Sequence, residues 1–210
     1  MKKLLILLFS ILLLSSPSVF ADDISDFQIE GISIGDSLLD YMTQDEILKE
    51  IEINKDRFLH LKEPHKYSQI NLYKDFLVYD NLSFVIKNNS TNKYVTDKNE
   101  RYMILSVRGL LTYIEGEDYD DCIKDRDEIL EILFKMFPDA EKLEQIQKYS
   151  PDPSGNSIVD FKYLILDSGE QIDLYCINLD ETFKIKKDWL ESLNVSIKSP
   201  EIIRWLRNTK

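Results

Sequence analysis

At residues 119–137 the chain reads YDDCIKDRDEILEILFKMF, between two groups of strand-like runs. Its apolar side chains recur close to the helical period, which predicts one long amphipathic helix that ends at Pro138. The carboxylates of Asp118, Asp120 and Asp121 lie at its start, where negative charge stabilises the helix dipole. The predicted core-facing stripe consists of Cys122, Arg126, Ile129, Leu130, Leu133, Met136 and Phe137.

Before this helix, β-branched and aromatic residues dominate runs that turn-forming clusters separate, which predicts an antiparallel meander. The predicted strands cover residues 70–79, 82–87 and 101–113. Gly109 inside the third run predicts a bulge or a bend. Nearer the N-terminus, residues 24–34 are expected to form a short strand or an extended arm.

Two helix starts precede the meander. Ser37 is a predicted N-cap, and Thr43 with Glu46 three residues later forms a capping-box pattern. These signals predict two short helices near the N-terminus.

The chain after the central helix is again strand-like. Residues 157–166 and 171–179 predict a hairpin, because a turn-forming Asp-Ser-Gly lies between them. Residues 192–198 predict a further strand, and Pro200 is suited to the first turn of a closing helix.

The predicted fold class is therefore α+β, with an antiparallel β-sheet or sheets and helices packed on one face. Two short N-terminal helices and one long central helix complete this prediction. A helix followed by antiparallel strands occurs twice, which suggests either two similar subdomains or one domain with a split sheet. Because the sequence has no Pro- or Gly-rich linker, residues 22–210 are expected to form a single domain with a pseudo-repeat seam near 115–121.

Residues 1–21 have the pattern of a secretory signal peptide. Lys2 and Lys3 precede an apolar run at 4–14, and small side chains suit cleavage between Ala21 and Asp22. A spanning helix needs about 20 apolar residues, so the shorter run predicts cleavage and no stable membrane anchor. The expected location is the periplasm.

The formal net charge is −12. Nucleic acids are bound through Lys and Arg, so this balance predicts no nucleic-acid partner.

Two cysteines, Cys122 and Cys176, follow the predicted cleavage site. In an oxidising compartment an even pair favours a structural disulfide. Buried free thiols and a redox-active pair are the alternatives, although redox cysteines usually lie in a C-x-x-C motif.

No residue is assigned a catalytic, cofactor-binding or metal-binding role. His60 and His65 flank Glu63, but their spacing of five does not stack them on one helix face, and no G-x-S-x-G motif occurs. The acidic stretch at 115–125 lacks the EF-hand order, and helix capping accounts for part of it. The tyrosines and Trp189 either line a ligand groove or, more commonly for such alternation, belong to the sheet core.

Several segments carry a resemblance. Residues 29–41, Asp121-Cys122, the turn at 167–169, residues 195–197 and the ending Trp205-Leu206 resemble small exported proteins of streamlined marine alphaproteobacteria of the SAR11-like kind. The resemblance implies that the protein is exported and comes from a bacterium of this kind. It implies no particular activity. The order of two short helices and antiparallel strands also resembles β-lactamase-inhibitor-like domains, which implies protein binding by analogy of fold alone.

Together these features favour an exported, periplasmic, non-catalytic binding or interaction module. Its partner is expected to be another envelope protein or a small ligand. The alternative is a carboxylate-based periplasmic hydrolase, either with or without a requirement for calcium.

Overall fold

The structure, a computed structural model, describes residue 24 and residues 27–55, 66–88, 101–114 and 118–208. The predicted signal peptide, with its cleavage site between Ala21 and Asp22, lies outside these residues. The two histidines and Glu63 lie outside them as well. No helix in the described ranges is long and apolar enough to cross a membrane.

The described helices begin with a three-residue 3₁₀ helix. They are this 3₁₀ helix (Leu38–Asp40), α1 (Gln44–Asn54), α2 (Tyr119–Met136), α3 (Glu181–Lys187) and α4 (Pro200–Asn208). The strands are β1 (Tyr67–Leu72), β2 (Asn81–Lys87), β3 (Ile104–Thr112), β4 (Glu141–Lys148), β5 (Ile158–Ile165), β6 (Gln171–Asn178) and β7 (Ser192–Lys198).

The described strands form one seven-stranded sheet in the order β1-β2-β3-β7-β6-β5-β4. Every neighbouring pair is antiparallel, so the predicted α+β class with an antiparallel sheet is confirmed. The meander β1-β2-β3 meets the later strands where β3 pairs with β7, and this junction lies in the middle of the sheet.

One face of the sheet, here called the helix face, packs against α1 and α2. Side chains alternate between the faces of a strand, so every second residue of β6 and β7 points toward α2. Helix α1 packs on β1, and its capping box between Thr43 and Glu46 is confirmed. The fully buried residues of this core include Phe84, Ile104, Val107, Leu133, Leu164, Ile172, Leu174 and Ile197.

The predicted disulfide between Cys122 and Cys176 is confirmed, and it lies in this core. Cys122 is in the first turn of α2, and Cys176 is in β6. The bond therefore fixes the N-terminal end of α2 to the helix face of the sheet.

Helix α4 lies on the opposite face, here called the groove face, so the prediction that the helices pack on one face is wrong for α4. Its Ile202 and Trp205 form a second core with Tyr67 and Leu105. Tyr67 is three positions from Ile70 of the helix-face core, and strand alternation places the two side chains on opposite faces. Ile202 and Trp205 are three residues apart, which is the spacing that a helix needs to present both to one surface.

Gly109 marks neither a bulge nor a bend. The bulge in this part of the sheet falls between Val85 and Ile86 of β2, whereas Gly109 pairs in register with Leu82 and Val195. A Cβ at Gly109 would lie 2.6 Å from a ring carbon of Tyr79. Glycine is required here because an aromatic ring packs directly on the strand backbone.

Three further elements differ from prediction. The strand expected at 70–79 ends at Leu72, and the chain loops until β2 begins. The edge strand β4 and the short helix α3 were not predicted.

Candidate binding groove on the second face of the sheet

Rows of polar residues cross the groove face at the middle of the sheet. Arg108 of β3 has Ser83 of β2 and Ser196 of β7 as its register partners, and Ser196 in turn pairs with Asp173 of β6. Ser196 and Asp173 are 2% and 1% exposed, although both are polar. A row of buried polar side chains on a sheet face is unusual, because such groups are costly to desolvate unless they are hydrogen bonded.

A small pocket of about 200 Å³ lies between these strands and α4. Its lining includes Arg108, Ser196 and Trp205. The indole ring of Trp205 packs edge-to-face on Tyr67 with the ring centroids 5.0 Å apart, and this contact positions the indole in the pocket wall.

Three side-chain polar atoms of this pocket are buried without a hydrogen-bond partner among the described residues. They are Nε of Arg108, Oγ of Ser196 and Nε1 of Trp205. The described chain has five such atoms, so most of them are concentrated in one pocket. A buried donor without an acceptor is destabilising, and native proteins usually satisfy such groups.

Among the described residues, one cation of the pocket has no neighbouring carboxylate that balances its charge. Lys198 forms an ion pair with Asp173, and Asp173 also accepts a 2.5 Å hydrogen bond from Gln171. Arg108 donates to the neutral oxygens of Ser83 at 3.1 Å and Tyr175 at 3.5 Å. Within the described chain Arg108 forms no ion pair with a carboxylate.

A larger cavity of about 800 Å³ continues along the groove face toward α3. Arg108, Tyr175 and Lys198 line both cavities, so the two adjoin at the centre of the sheet. Two more aromatic side chains of the large cavity, Phe161 and Trp189, make its wall mainly apolar. The ring centroids of Phe161 and Tyr175 are 4.7 Å apart, so the two rings lie side by side and form an aromatic surface in the cavity.

Local backbone structure positions the outer wall of the large cavity. Asp188, the C-cap of α3, has a φ of 53°, a left-handed conformation that reverses the chain. The N–H of Trp189 then donates to the carbonyl of Lys184 at 3.2 Å, and the indole packs edge-to-face on Phe183 and Tyr149. Trp189 remains 42% exposed, so it is accessible at the rim of the cavity.

The loop that carries Tyr149 is held by one carboxylate. Asp152 accepts hydrogen bonds from the backbone N–H and hydroxyl groups of both Ser154 and Ser157, at 2.7–3.0 Å. The hydroxyl oxygen of Ser157 in turn accepts from the N–H of Asp180, which is the N-cap of α3. This network ties the loop to the N-terminal end of α3.

The tyrosines near the groove are held neutral. Burial, followed by the neighbouring Asp173 and Tyr175, raises the pKa of Tyr163 to about 12. Burial and Tyr175 also raise the pKa of Tyr149, and Arg108 lowers it by a smaller amount. At neutral pH these phenols therefore contribute hydrogen-bonding and apolar surface without negative charge.

The structure separates the residues that the sequence singled out. Cys122 and Cys176 lie on the helix face, away from the groove. Asp118 and Asp121 form a capping box at the start of α2, so helix capping does account for these members of the acidic stretch. Trp189 lines the groove. No three His, Cys, Asp or Glu side chains of the described residues lie close enough together to hold a metal ion.

The central groove residues were not recognised in the sequence, although β7 contains a signal for them. Its apolar residues Leu193, Val195 and Ile197 lie on one side of the strand. The other side carries Ser192, Asn194, Ser196 and Lys198, and three of these are buried polar residues.

No protein-family model, no curated protein and no solved structure matches this chain. The function is therefore inferred from the groove.

Proposed function

We propose that this protein is an exported, periplasmic, non-catalytic binding module and that it binds a small ligand in the groove on the second face of its sheet. The observation that carries the proposal is the pair of adjoining cavities, of about 200 and 800 Å³, at the centre of the sheet. Small-molecule sites are typically concave, mostly apolar, and equipped with a few convergent polar groups. The groove has these properties.

The construction of the groove supports binding to a preformed site. Its floor is the middle of a seven-stranded sheet, and its outer wall is held by the hydrogen-bond network of Asp152. A rigid site loses little conformational entropy when a ligand binds, and this improves affinity.

The groove is less suited to hydrolysis by carboxylates. Such chemistry needs two carboxyl groups on either side of the scissile bond. The carboxylates in its lining are Asp173 and Asp188. The oxygens of Asp173 are occupied by Lys198 and Gln171, and Asp188 belongs to the C-cap of α3. This arrangement favours binding over the calcium-dependent hydrolase.

Export is supported by the signal-peptide pattern of residues 1–21 and by the buried disulfide, which suits an oxidising compartment. N-terminal sequencing of the protein from the periplasmic fraction is expected to begin at Asp22. Recovery of the intact chain from the cytoplasm would contradict this part of the proposal.

The binding proposal can be tested with N-phenyl-1-naphthylamine, a neutral apolar fluorescent probe. We expect saturable binding at one site, and Trp189→Ala is expected to weaken it roughly fivefold or more through the loss of aromatic contact. Trp189 is 42% exposed, so its removal leaves the core intact.

Leu143→Ala is the matched control, since Leu143 is 43% exposed on the same sheet face but does not line the groove. It is expected to leave probe affinity unchanged. An absence of saturable binding, or equal effects of the two variants, would contradict the proposal. A melting temperature that falls on addition of EDTA would favour the calcium-dependent hydrolase instead.

A further inference from the structure

We propose that the small pocket between α4 and the sheet binds the carboxylate of a small amphiphilic acid, whose apolar part lies in the large cavity. This inference rests on the proposed binding function and adds the chemical class of the ligand. The donors in the pocket, their net charge and the continuity of the two cavities support it.

The three unpartnered groups of the pocket can all donate hydrogen bonds. The unpartnered atoms of Arg108 and Trp205 are N–H groups, which only donate, and the hydroxyl of Ser196 also has a proton to donate. Ser196 is 2% exposed and Trp205 is 8% exposed, so neither group is placed for free exchange with bulk water. A ligand that satisfies all three must offer acceptor oxygens.

The charge of the pocket favours a monoanion. Lys198 and Asp173 neutralise each other, which leaves Arg108 as the unbalanced cation among the described residues that line both cavities. One positive charge matches a monoanionic carboxylate better than a phosphate, which carries up to two negative charges near neutral pH. A guanidinium group also presents its donors in a fork that fits the two oxygens of a carboxylate.

The rest of the ligand would lie on an aromatic surface. The cavity that adjoins Arg108 is lined by Phe161, Tyr175 and Trp189. A carboxylate held at Arg108 therefore directs an attached hydrocarbon or aromatic group along these rings. This arrangement favours an aromatic or aliphatic carboxylic acid over a small polar anion.

The two tryptophans provide a separate signal for each end of the site. The sequence contains two Trp residues, and Trp205 lines the small pocket whereas Trp189 lines the large cavity. In a ¹H–¹⁵N spectrum each indole N–H gives its own resonance, and Trp189→Phe and Trp205→Phe assign the two. A new hydrogen bond to an anion is expected to shift the Trp205 indole resonance downfield.

The probes are acetate, inorganic phosphate, 3-phenylpropionate, 3-phenylpropionamide and a short apolar peptide with a free C-terminus, titrated into the folded, disulfide-bonded protein. We expect acetate to shift Trp205 alone and 3-phenylpropionate to shift both indoles and bind more tightly than acetate. The neutral amide is expected to bind roughly tenfold or more weakly than the acid, because it lacks the charge that strengthens hydrogen bonds.

Arg108→Gln is expected to weaken binding of 3-phenylpropionate by roughly tenfold or more. Arg204→Gln is the matched control, since it removes the same charge from an exposed position of α4 and is expected to change affinity less than twofold. If Arg108→Gln does not fold, Ser196→Ala is tested in its place, and a severalfold loss of affinity for the acid is expected.

The outcomes separate this inference from the binding proposal. Equal affinity for acid and amide, an unchanged affinity in Arg108→Gln, or phosphate binding tighter than acetate would overturn the carboxylate assignment while Trp189 still reports an occupied groove. A peptide with a free C-terminus that binds far more tightly than 3-phenylpropionate would replace the small acid by a protein chain end. No shift of Trp189 with any apolar probe would contradict the proposed function itself.

Discussion

Cys122 and Cys176 hold their Cα atoms 6.0 Å apart and join the first turn of α2 to β6 through a disulfide that closes a 54-residue separation. Cross-linking a loop of this length lowers the entropy of the unfolded chain, so reduction is expected to lower the free energy of unfolding by about 4 kcal/mol. Urea unfolding with and without dithiothreitol measures this difference.

The double variant Cys122→Ala/Cys176→Ala is the control for the reductant. Its unfolding is expected to be unaffected by dithiothreitol. Coincident urea transitions of the oxidised and reduced wild-type protein would contradict the predicted stabilisation.

Gly109 and Tyr79 give a second prediction. A Cβ at Gly109 would meet three ring carbons of Tyr79 at 2.6–2.8 Å, so Gly109→Ala forces the ring or the strand to move. Overpacking of this kind costs about 1–3 kcal/mol, and thermal or urea unfolding is expected to show a loss of that size. In a Tyr79→Leu background the clashing ring is absent, and the same substitution is expected to cost less. An equal loss in both backgrounds would show that the ring is not responsible.

The elements that sequence reasoning predicted well are those in which burial and periodicity agree. In β7, Leu193, Val195 and Ile197 are all 1% exposed or less, and their alternation with polar residues is the pattern of a strand. The cysteine pair was also predictable, because the signal-peptide pattern predicts an oxidising compartment, where an even number of cysteines favours a disulfide.

The elements that sequence reasoning missed are stabilised by their neighbours more than by their own residues. β4 has the sequence EKLEQIQK, is exposed at every position, and consists of residues that favour helices. It becomes a strand because its whole length pairs with β5 at the sheet edge. Its Leu143 and Ile146 are three residues apart, a spacing that does not indicate a strand.

The candidate site could be predicted only in part, since it is created by register. Ser83, Arg108 and Ser196 are far apart in the sequence and become neighbours through the pairing of β2, β3 and β7. The side of the sheet that α4 covers also depends on tertiary packing. The aromatic side chains were the part of the groove that residue type itself suggested, and Tyr149, Tyr175 and Trp189 do line the large cavity.

The ion pair beneath α2 gives a third prediction. Arg126 is 2% exposed and contacts two carboxylates, Asp160 of β5 with Nη1 at 2.9 Å and Asp127 of the helix with Nη2 at 2.8 Å. The Asp160 side chain is 14% exposed, whereas that of Asp127 is 55% exposed. Asp160→Asn removes the carboxylate on the sheet that pairs with the buried guanidinium of Arg126. The free energy of unfolding, measured with urea, is expected to fall by about 3 kcal/mol.

Asp127→Asn is the matched control for Asp160→Asn, because it removes the same charge from the same arginine at an exposed position. Its expected cost is below about 1 kcal/mol, since solvent screens exposed pairs. Equal losses in the two variants would mean that burial does not determine the strength of these contacts.

The carboxyl group of Asp152 is expected to make the stability of the protein depend on pH. Burial alone would raise the pKa of this carboxyl above its ordinary 3.8, but the hydrogen bonds from Ser157 and Ser154 outweigh burial and lower the pKa. The folded state therefore favours the ionised form, and the stabilisation is present above the ordinary pKa and is lost as the pH falls through the lowered one. Asp152→Asn is expected to destabilise the protein most at neutral pH, with a penalty that shrinks below about pH 4.

Urea unfolding of both proteins over the pH range in which they stay folded measures the penalty, with Asp139→Asn as an exposed control for the lost charge. A penalty that stays constant between neutral pH and about pH 3 would show that the hydrogen bonds do not favour the carboxylate.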